Sequence, residues 1–267
     1  MIALLDVYRA QFAASLGVWF AYRWPLLIWF FVRLVEPAIY ICVWSSVAVN
    51  QGGEINGLSP AQFSAYYIVL MAVNQMTFVW LLLRFNTRIQ TGTLSIFLLR
   101  PVSLFHHDLA DVLANKLIVI VMLIPSVILM SALFPPSFET PVWVWIVLLP
   151  VVVLAFLLRF VLDYCVAMLA FWTTRIDALD RLYFTILFLF SGRIAPIDLL
   201  PTTVRAVAEV LPVRWILSFP AELALGRVSI QSAAQGVMIQ CLWIGVLGML
   251  ARLLWKRSLQ QYTAVDG

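Results

Sequence analysis

Six apolar segments recur along this 267-residue chain, and most of them are long enough to cross a lipid bilayer as a helix. A spanning helix needs about 20 apolar residues, because the hydrocarbon core of a bilayer is about 30 Å thick. Hydrophobic residues make up 64% of the sequence and charged residues only 11%, which leaves too few polar side chains to cover a soluble globule. The sequence therefore predicts an integral membrane protein and argues against a soluble enzyme, a nucleic-acid-binding protein or a disordered chain.

The apolar segments predict a single all-α membrane domain over residues 1–267 with six transmembrane helices. Their approximate bounds are 24–49, 63–83, 109–134, 142–172, 182–190 and 230–254. The fifth differs from the others because only Leu182–Phe190 is uninterrupted, and nine helical residues rise only about 14 Å. We expect this span to borrow polar flanks or to break inside the protein. Residues 193–228, amphipathic and interrupted by prolines, are expected to form an external or re-entrant helical hairpin before the last span.

The N-terminal segment 1–22 predicts a helix that lies in the membrane surface. Its larger apolar residues recur at helical spacing, namely Leu5, Tyr8, Phe12, Leu16 and Trp19. Polar residues fall elsewhere on the helical wheel, and Arg23 with Pro25 supplies an elbow before the first span. The alternative is that this segment is the start of the first span itself.

The distribution of basic residues predicts the orientation, because lysine and arginine are enriched in cytoplasmic loops. With the N-terminus inside, the loops at 50–60 and 135–141 lie outside and contain no lysine or arginine. The residues then placed on the cytoplasmic side are Arg84, Arg88, Arg100, Arg175, Arg181, Arg252, Lys256 and Arg257. Six crossings therefore place both termini in the cytoplasm, including a tail at 255–267. The arginines between Arg193 and Arg227 are the exception and belong to the hairpin.

No catalytic, cofactor or metal site is expected in this chain. The phosphate-binding pattern G-x-x-x-x-G-K-[ST] is absent, and neither of the two lysines follows a glycine. Zinc-protease, nucleophile-elbow and C-x-x-C patterns are absent as well. The one metal-like cluster of the sequence is His106, His107, Asp108 and Asp111. Adjacent histidines on a helix diverge by about 100°, so we interpret this cluster as a solvated loop rather than as a metal or pH-sensing site.

Two pairs of opposite charges fall inside the apolar segments. Arg33 and Glu36 are three residues apart in the first span, and Arg159 and Asp163 are four apart in the fourth. Each pair therefore shares one helix face, and charges at such depth should face protein or a water-filled cavity. Two interpretations stay open: mutual neutralisation that holds helices together, or a polar wall on the inner side of a translocation path. Lys116 is expected to extend its ammonium group to the cytoplasmic interface.

Arg193 follows the truncated fifth span and precedes Pro196, where the chain is expected to turn back. A cation at a broken helix could contact an anionic headgroup, or it could neutralise an acid such as Asp198. Both interpretations are retained, and Arg193 joins Arg33, Glu36, Arg159 and Asp163 as a candidate residue of a translocation path.

The order of these features resembles the permease subunits of type-2 ABC transporters, in an exporter-like bacterial branch. Gly92–Pro101 is similar to that branch's G-x-L-x-x-x-L-L-R-P segment, and Phe219–Gly226 to its F-P-A-x-x-x-L-G stretch. Leu254–Tyr262 is similar to its L-W-x-R-x-L-x-x-Y tail. Each motif is short, but their order and spacing extend over nearly the whole chain. Arg193 stands where an apolar residue is expected, which leaves the cargo open.

The resemblance implies that ATP and Mg²⁺ are bound by separate cytoplasmic ATPase subunits, present in two copies. It also implies a second permease, either a copy of this chain or a paralogue, with the path between the two. Membrane lipids are further expected partners, and nucleic acid is not. The chain itself would then be no enzyme, and its location would be the bacterial inner membrane.

The resemblance further implies that residues 84–108, between spans two and three, contain a coupling helix that docks on the ATPase. Apolar side chains of this loop would enter a cleft of that subunit, namely Leu94, Ile96, Phe97 and Leu98. Arg88 and Arg100 would pair with acids at the rim or with phospholipid. The alternative is a loop that only lies along the membrane surface.

The function that the resemblance implies is ATP-driven export of a lipid, a glycan or another amphiphile. The main alternative is an ion-coupled secondary transporter, in which the intramembrane Arg33, Glu36, Arg159 and Asp163 would carry the coupling ions or protons.

Overall fold

The computed structural model describes residues 8–10, 12–14, 23–100, 102–173 and 176–265, and the regular elements in these ranges are helices. The surface helix predicted for residues 1–22 falls largely outside the described residues, although 8–10 and 12–14 are helical. The α-helices from residue 23 onwards are α1 Arg23–Asn50, α2 Pro60–Thr77, α3 Leu82–Gln90, α4 Leu94–Leu98, α5 Leu104–Leu133, α6 Val142–Met168, α7 Ile176–Phe190, α8 Thr202–Val210, α9 Pro212–Ile216, α10 Ser218–Ala224 and α11 Ile230–Val265.

Five helical stretches of the described chain are long and apolar enough to cross a membrane. They are Phe30–Asn50, Pro60–Gln90, Leu104–Leu133, Val142–Phe171 and Ile230–Gln261. Each coincides with one of the predicted spans, which confirms an all-α membrane fold. Large apolar side chains are exposed along α1, α5 and α11, as expected for surfaces that face lipid rather than water.

The second predicted span is not one continuous helix. α2 begins with a capping box, in which Ser59 and Gln62 bond each other's backbone N–H groups, and it ends at Thr77. Residues 78–81 are not helical, and α3 continues from Leu82. The break contains no proline or glycine, so its cause lies in the contacts made by neighbouring helices, described below.

The fifth segment is a 15-residue helix, α7, which begins six residues earlier than the uninterrupted apolar stretch. It includes the polar Asp177 and Arg181 and rises about 22 Å, less than the hydrocarbon core. Its far end reaches the level of the early turns of α2, because Tyr66 donates a hydrogen bond to the carbonyl oxygen of Gly192 at 3.0 Å. Tyr67 and Trp44 both donate to the carbonyl oxygen of Ile194.

The segment after α7 folds as a cluster of short helices that meets two loops at one end of the bundle. Arg227 donates to the carbonyl oxygens of Asn56 and Gly57, at 2.7 and 3.1 Å. Thr140 donates to the carbonyl oxygen of Ala224 at 2.6 Å. The loops at 50–60 and 135–141, which the sequence predicts to lie on one side of the membrane, therefore lie beside the predicted hairpin.

The centre of the fold is formed by α2 and α6. Tyr66, Tyr67 and Phe63 on α2 and Leu158 and Phe160 on α6 are almost completely buried. α6 also packs along α11 and against α9 and α10. α11 continues as a helix to Val265, so the segment predicted as a separate tail from residue 255 is its last part.

Candidate functional site

A partly open cavity of about 690 Å³ lies between the described helices α1, α2, α3, α5 and α7. Its wall is mainly aromatic and aliphatic, and the charged residues among its described lining are Arg33, Glu36, Arg84, Lys116 and Arg193. A cavity of this size, with few polar groups in an apolar wall, is typical of a binding site for a small molecule. Three of the five predicted path residues, Arg33, Glu36 and Arg193, thus line one space.

Glu36 pairs with Arg193 and not with Arg33. The guanidinium of Arg193 donates to both carboxylate oxygens of Glu36, at 2.6 and 2.7 Å from Nη2 and 3.1 Å from Nε. The two residues are 157 positions apart. Asp198, the partner suggested by the sequence, pairs instead with Arg205 at 3.2 Å. The pair therefore ties α1 to the segment that follows α7.

Arg33 forms no ion pair within the described part of the chain, so of the two interpretations left open for Arg33 and Glu36, the structure does not support mutual neutralisation. Its guanidinium carbon lies 5.9 Å from the centre of the Phe78 ring, in the range of a cation–π contact. Glu36 is one turn away on the same helix, but the bidentate geometry that Arg193 offers commits both of its oxygens.

Lys116 is buried and does not extend to an interface, which corrects the sequence-based expectation. Its side chain lies inside the bundle with 8% exposure and donates to the carbonyl oxygens of Gln75, at 3.2 Å, and of Phe78. The last carbonyls of a helix have no partner within it, and a cation is favourable at that end. Lys116 therefore stabilises the point at which α2 stops.

Arg159 and Asp163 lie behind the cavity rather than in its described lining. Arg159 is 1% exposed and donates to the side-chain oxygen of Asn74 at 2.8 Å. Asp163 accepts a hydrogen bond from Tyr183, and the closest nitrogen–oxygen distance between Arg159 and Asp163 is 4.0 Å. These two residues join α6 to α2 and α7, so their geometry favours the structural interpretation over the polar wall.

Phe78, in the break between α2 and α3, is the common neighbour of three cations. Arg159 places its guanidinium carbon 5.3 Å from the ring centre, Arg33 approaches the same ring, and Lys116 bonds the backbone oxygen. Phe184 of α7 stacks on the ring with centres 6.5 Å apart. Sequence reasoning missed this convergence, because the three cations come from three different helices.

Gly192 allows the close approach of the broken fifth segment to α2 and α10. Its φ is +83°, and a Cβ atom there would lie 2.5 Å from the Tyr66 hydroxyl and 2.9 Å from the Ser218 hydroxyl. Such distances require either the buried Tyr66 and Ser218 side chains or the backbone to shift, and a left-handed φ is itself unfavourable for alanine.

We expect Gly192→Ala to lower the free energy of unfolding by about 1–3 kcal/mol, seen as a lower melting temperature of the detergent-solubilised protein. Gly245→Ala is the matched control, because that glycine lies in α11 with no atom within 4 Å of an added Cβ. An equal shift in the two variants would contradict the proposed close contact.

The other end of the bundle contains the loop predicted to contact the ATPase, and two ion pairs hold its base. Arg84 pairs with Asp111, and Arg88 pairs with Asp108 at 2.7 Å. Asp108 is completely buried, so the interpretation of the histidine–aspartate cluster as a solvated loop is wrong. These residues lie on the first turns of α5, which begins at Leu104. In the described residues no group of three or more His, Cys, Asp or Glu could hold a metal ion.

The predicted coupling residues divide into an inner and an outer set. Leu94 is completely buried, and the Phe97 ring lies 4.6 Å from the guanidinium carbon of Arg88 and 4.9 Å from that of Arg100. Ile96 and Leu98 are exposed, at 55% and 38%. The expectation that all four apolar side chains enter a partner's cleft is therefore corrected for Leu94 and Phe97, which pack internally.

Leu99 is an exposed apolar residue that the sequence-based set omitted, and 87% of its surface is accessible. Together with Ile96 and Leu98 it forms what we call the loop-tip patch. The signal available in the sequence was only its position directly after a short helix, α4, of five residues, which is too short to show periodicity.

A chain of ion pairs joins the short helices at the opposite end. Arg205 pairs with Asp198 and with Glu209, and Arg214 pairs with Glu209 and with Glu222. The hydrogen bond from Arg205 lowers the pKa of Glu209 below its ordinary value. Two of the four arginines that formed the exception to the charge pattern, Arg205 and Arg214, are thus neutralised by acids of the same region.

Comparison with known protein families agrees with this architecture. Residues 34–265 match the sequence model of a family described as ABC-2 family transporter protein. A search of curated proteins gives no match. The matched region contains all five membrane-crossing stretches except the first turn of the first, together with the loop-tip patch and the cavity lining apart from Phe30 and Arg33. The chain therefore belongs to the ABC-2 family of transporter proteins and is a multi-pass membrane permease.

Proposed function

We propose that this chain is the permease subunit of an ATP-driven exporter of the bacterial inner membrane, with a lipid, a glycan or another amphiphile as cargo. Membership of an ABC-2 permease family implies association with ABC ATPase subunits. Two such subunits bind ATP and Mg²⁺ and hydrolyse ATP, while this chain and a second permease, a copy or a paralogue, form the path. Residues 84–108 transmit the ATPase motion.

The proposed topology has six crossings and both termini in the cytoplasm. It is supported by the fifth segment, which starts after the end of α6 and reaches Tyr66 near the start of α2. It is also supported by the two loops free of lysine and arginine, which lie beside the short helices that follow α7. Such loops are typical of the outer side of the membrane.

The coupling proposal rests on the loop-tip patch and on the two ion pairs that hold the loop below it. Ile96, Leu98 and Leu99 expose apolar surface at the turn between α3 and α5, whereas Arg84 and Arg88 fix that turn to α5. Full burial of one such side chain against a partner contributes about 2 kcal/mol. A patch held in this way can bind in a cleft of the ATPase. A movement of the patch would then also move α3 and α5.

We expect the double variant Ile96→Asp/Leu99→Asp to lose the ATPase subunits during co-purification and to lose ATP-driven transport, because both exposed side chains would carry charge into an apolar cleft. The melting temperature of the permease alone should stay within about 2 °C, since surface substitutions change stability little. The measurement is the ratio of ATPase to permease after affinity purification.

Val210→Asp is the matched control, because it makes the same change at a 70% exposed apolar residue of α8 at the opposite end. It should keep the ATPase bound. Unchanged co-purification and transport by the double variant would contradict the coupling role of the loop. Transport by this chain alone, driven by an ion gradient without ATP, would instead support the secondary-transporter alternative.

A further inference from the structure

We propose that the cavity binds an amphiphile with an anionic group, which is held between Arg33 and Lys116 while the apolar body lies along the cavity wall. The inference rests on the proposed transport function, since it names the chemical class of the cargo. It follows from three features: the uncompensated charge of the cavity, the free hydrogen-bond donors, and the apolar composition of the remaining wall.

The charges of the cavity do not balance. Arg193 is neutralised by Glu36 at 2.6 Å, and Arg84 is neutralised by Asp111. Arg33 and Lys116 have no carboxylate within ion-pair distance in the described residues, and the cavity therefore carries two uncompensated cations. A charge at membrane depth is unfavourable without a counter-charge or water, and a bound anion would supply the counter-charge.

Both cations also have N–H donors that form no hydrogen bond within the described residues. A lysine ammonium group has three N–H donors, of which Lys116 uses two on the carbonyl oxygens of Gln75 and Phe78. Arg33 makes no hydrogen bond with its guanidinium within the described residues, and its contact is the face of the Phe78 ring. Because both cations are held at Phe78, from α1 and from α5, one anionic group can reach both.

The rest of the wall suits a hydrocarbon or aromatic body rather than a sugar. Its apolar members include Phe30, Tyr40, Met71, Leu83, Val119 and Met122. The flanking surfaces of α1 and α5 are apolar and exposed, for example at Phe31, Val32 and Val121, so the site adjoins the surface where acyl chains would lie. A volume of about 690 Å³ holds a headgroup and part of a chain.

The test is native mass spectrometry of the full-length chain in detergent, titrated with phosphatidylglycerol, with phosphatidylcholine of the same acyl chains, and with inorganic phosphate. We expect phosphatidylglycerol to bind more tightly than the other two probes. Arg33→Gln should weaken phosphatidylglycerol binding about tenfold, as expected for loss of a charge-assisted hydrogen bond, and Arg33→Lys should retain most of it. Arg33 has no ion pair to lose, so Arg33→Gln should melt within about 2 °C of the wild type.

Arg257→Gln is the matched control, because Arg257 is an exposed cation of α11 outside the cavity lining, and it should bind as the wild type does. Equal binding of the two lipids, binding of phosphate as tight as that of phosphatidylglycerol, or equal losses in Arg33→Gln and Arg257→Gln would each overturn the inference. Those results would leave the coupling proposal intact, since it depends on co-purification of the ATPase with the loop-tip variants.

Discussion

The Arg159→Met protein is expected to lose about 3–5 kcal/mol of its free energy of unfolding, the loss typical of removing one partner from a buried charge pair. The described residues place no other basic side chain within ion-pair distance of Asp163, which is buried and would keep only the hydrogen bond from Tyr183. Methionine fills similar space but leaves the oxygens of Asn74 and Thr77 without the donor they now have. The measurement is thermal unfolding in detergent, together with the yield of folded protein.

The double variant Arg159→Met/Asp163→Asn should recover most of that loss. The amide removes the buried charge yet still accepts the hydrogen bond from Tyr183, which now bonds Asp163. Arg252→Met, at an exposed arginine of α11, controls for the substitution itself and should melt near the wild-type temperature. If Arg159→Met and Arg252→Met melt alike, Arg159 does not stabilise the contact between α6 and α2.

The Glu36→Arg protein is expected to assemble with its ATPase but to hydrolyse ATP more than about tenfold more slowly, because breaking a hydrogen-bonded charge pair costs about 2–5 kcal/mol of interaction free energy and would disturb the wall of the cavity. The substitution removes the acceptor of Arg193 and places a new guanidinium beside it. The two guanidinium groups would repel each other at this distance, so the segment after α7 would move away from α1. The cavity wall that both residues form would then lose its shape.

Charge exchange separates this effect from a general loss of folding. Glu36→Arg/Arg193→Glu restores the opposite charges across the same gap and should recover most of the ATPase activity, whereas Arg193→Glu alone should be as impaired as Glu36→Arg. The measurement is ATP hydrolysis by the reconstituted complex, with assembly followed by co-purification. A double variant that is no better than either single variant would show that the pair does not act as a pair.

Five of the six predicted spans correspond to helices long and apolar enough to cross a membrane, because a bilayer imposes a minimum apolar length that is visible in a single sequence. The fifth segment could be recognised as exceptional for the same reason, but its helical start at Ile176 could not, since Asp177 and Arg181 interrupt the apolar pattern. The break at Phe78 gave no signal, because no proline or glycine marks it. The carbonyls it frees are satisfied by Lys116, from another helix.

The membership of the candidate site was predictable only in part, since Arg33, Glu36 and Arg193 line the cavity but Arg159 and Asp163 do not, and its pairing was not predictable. Spacing along one helix assigned Glu36 to Arg33, whereas the structure assigns it to Arg193, 157 residues away. Long-range pairs of this kind depend on how helices pack, which no local pattern encodes. The loop shows the same limit: Leu94 and Leu99 are equally apolar, yet one is buried and the other is 87% exposed.

The interruption at residues 78–81 divides the second span into two helices of unequal length, α2 and α3. The shorter helix, α3, carries Arg84 and Arg88, whose ion pairs join it to the start of α5. The longer helix, α2, is buried in the centre of the bundle. The helical hydrogen bonds are interrupted here, although the Phe78 N–H still donates to Asn74 and the Leu81 carbonyl oxygen accepts from Phe85, and such a break bends more easily than a continuous helix. A force applied to α3 would therefore tilt it about Phe78, beside the cavity, without displacing α2 along its axis.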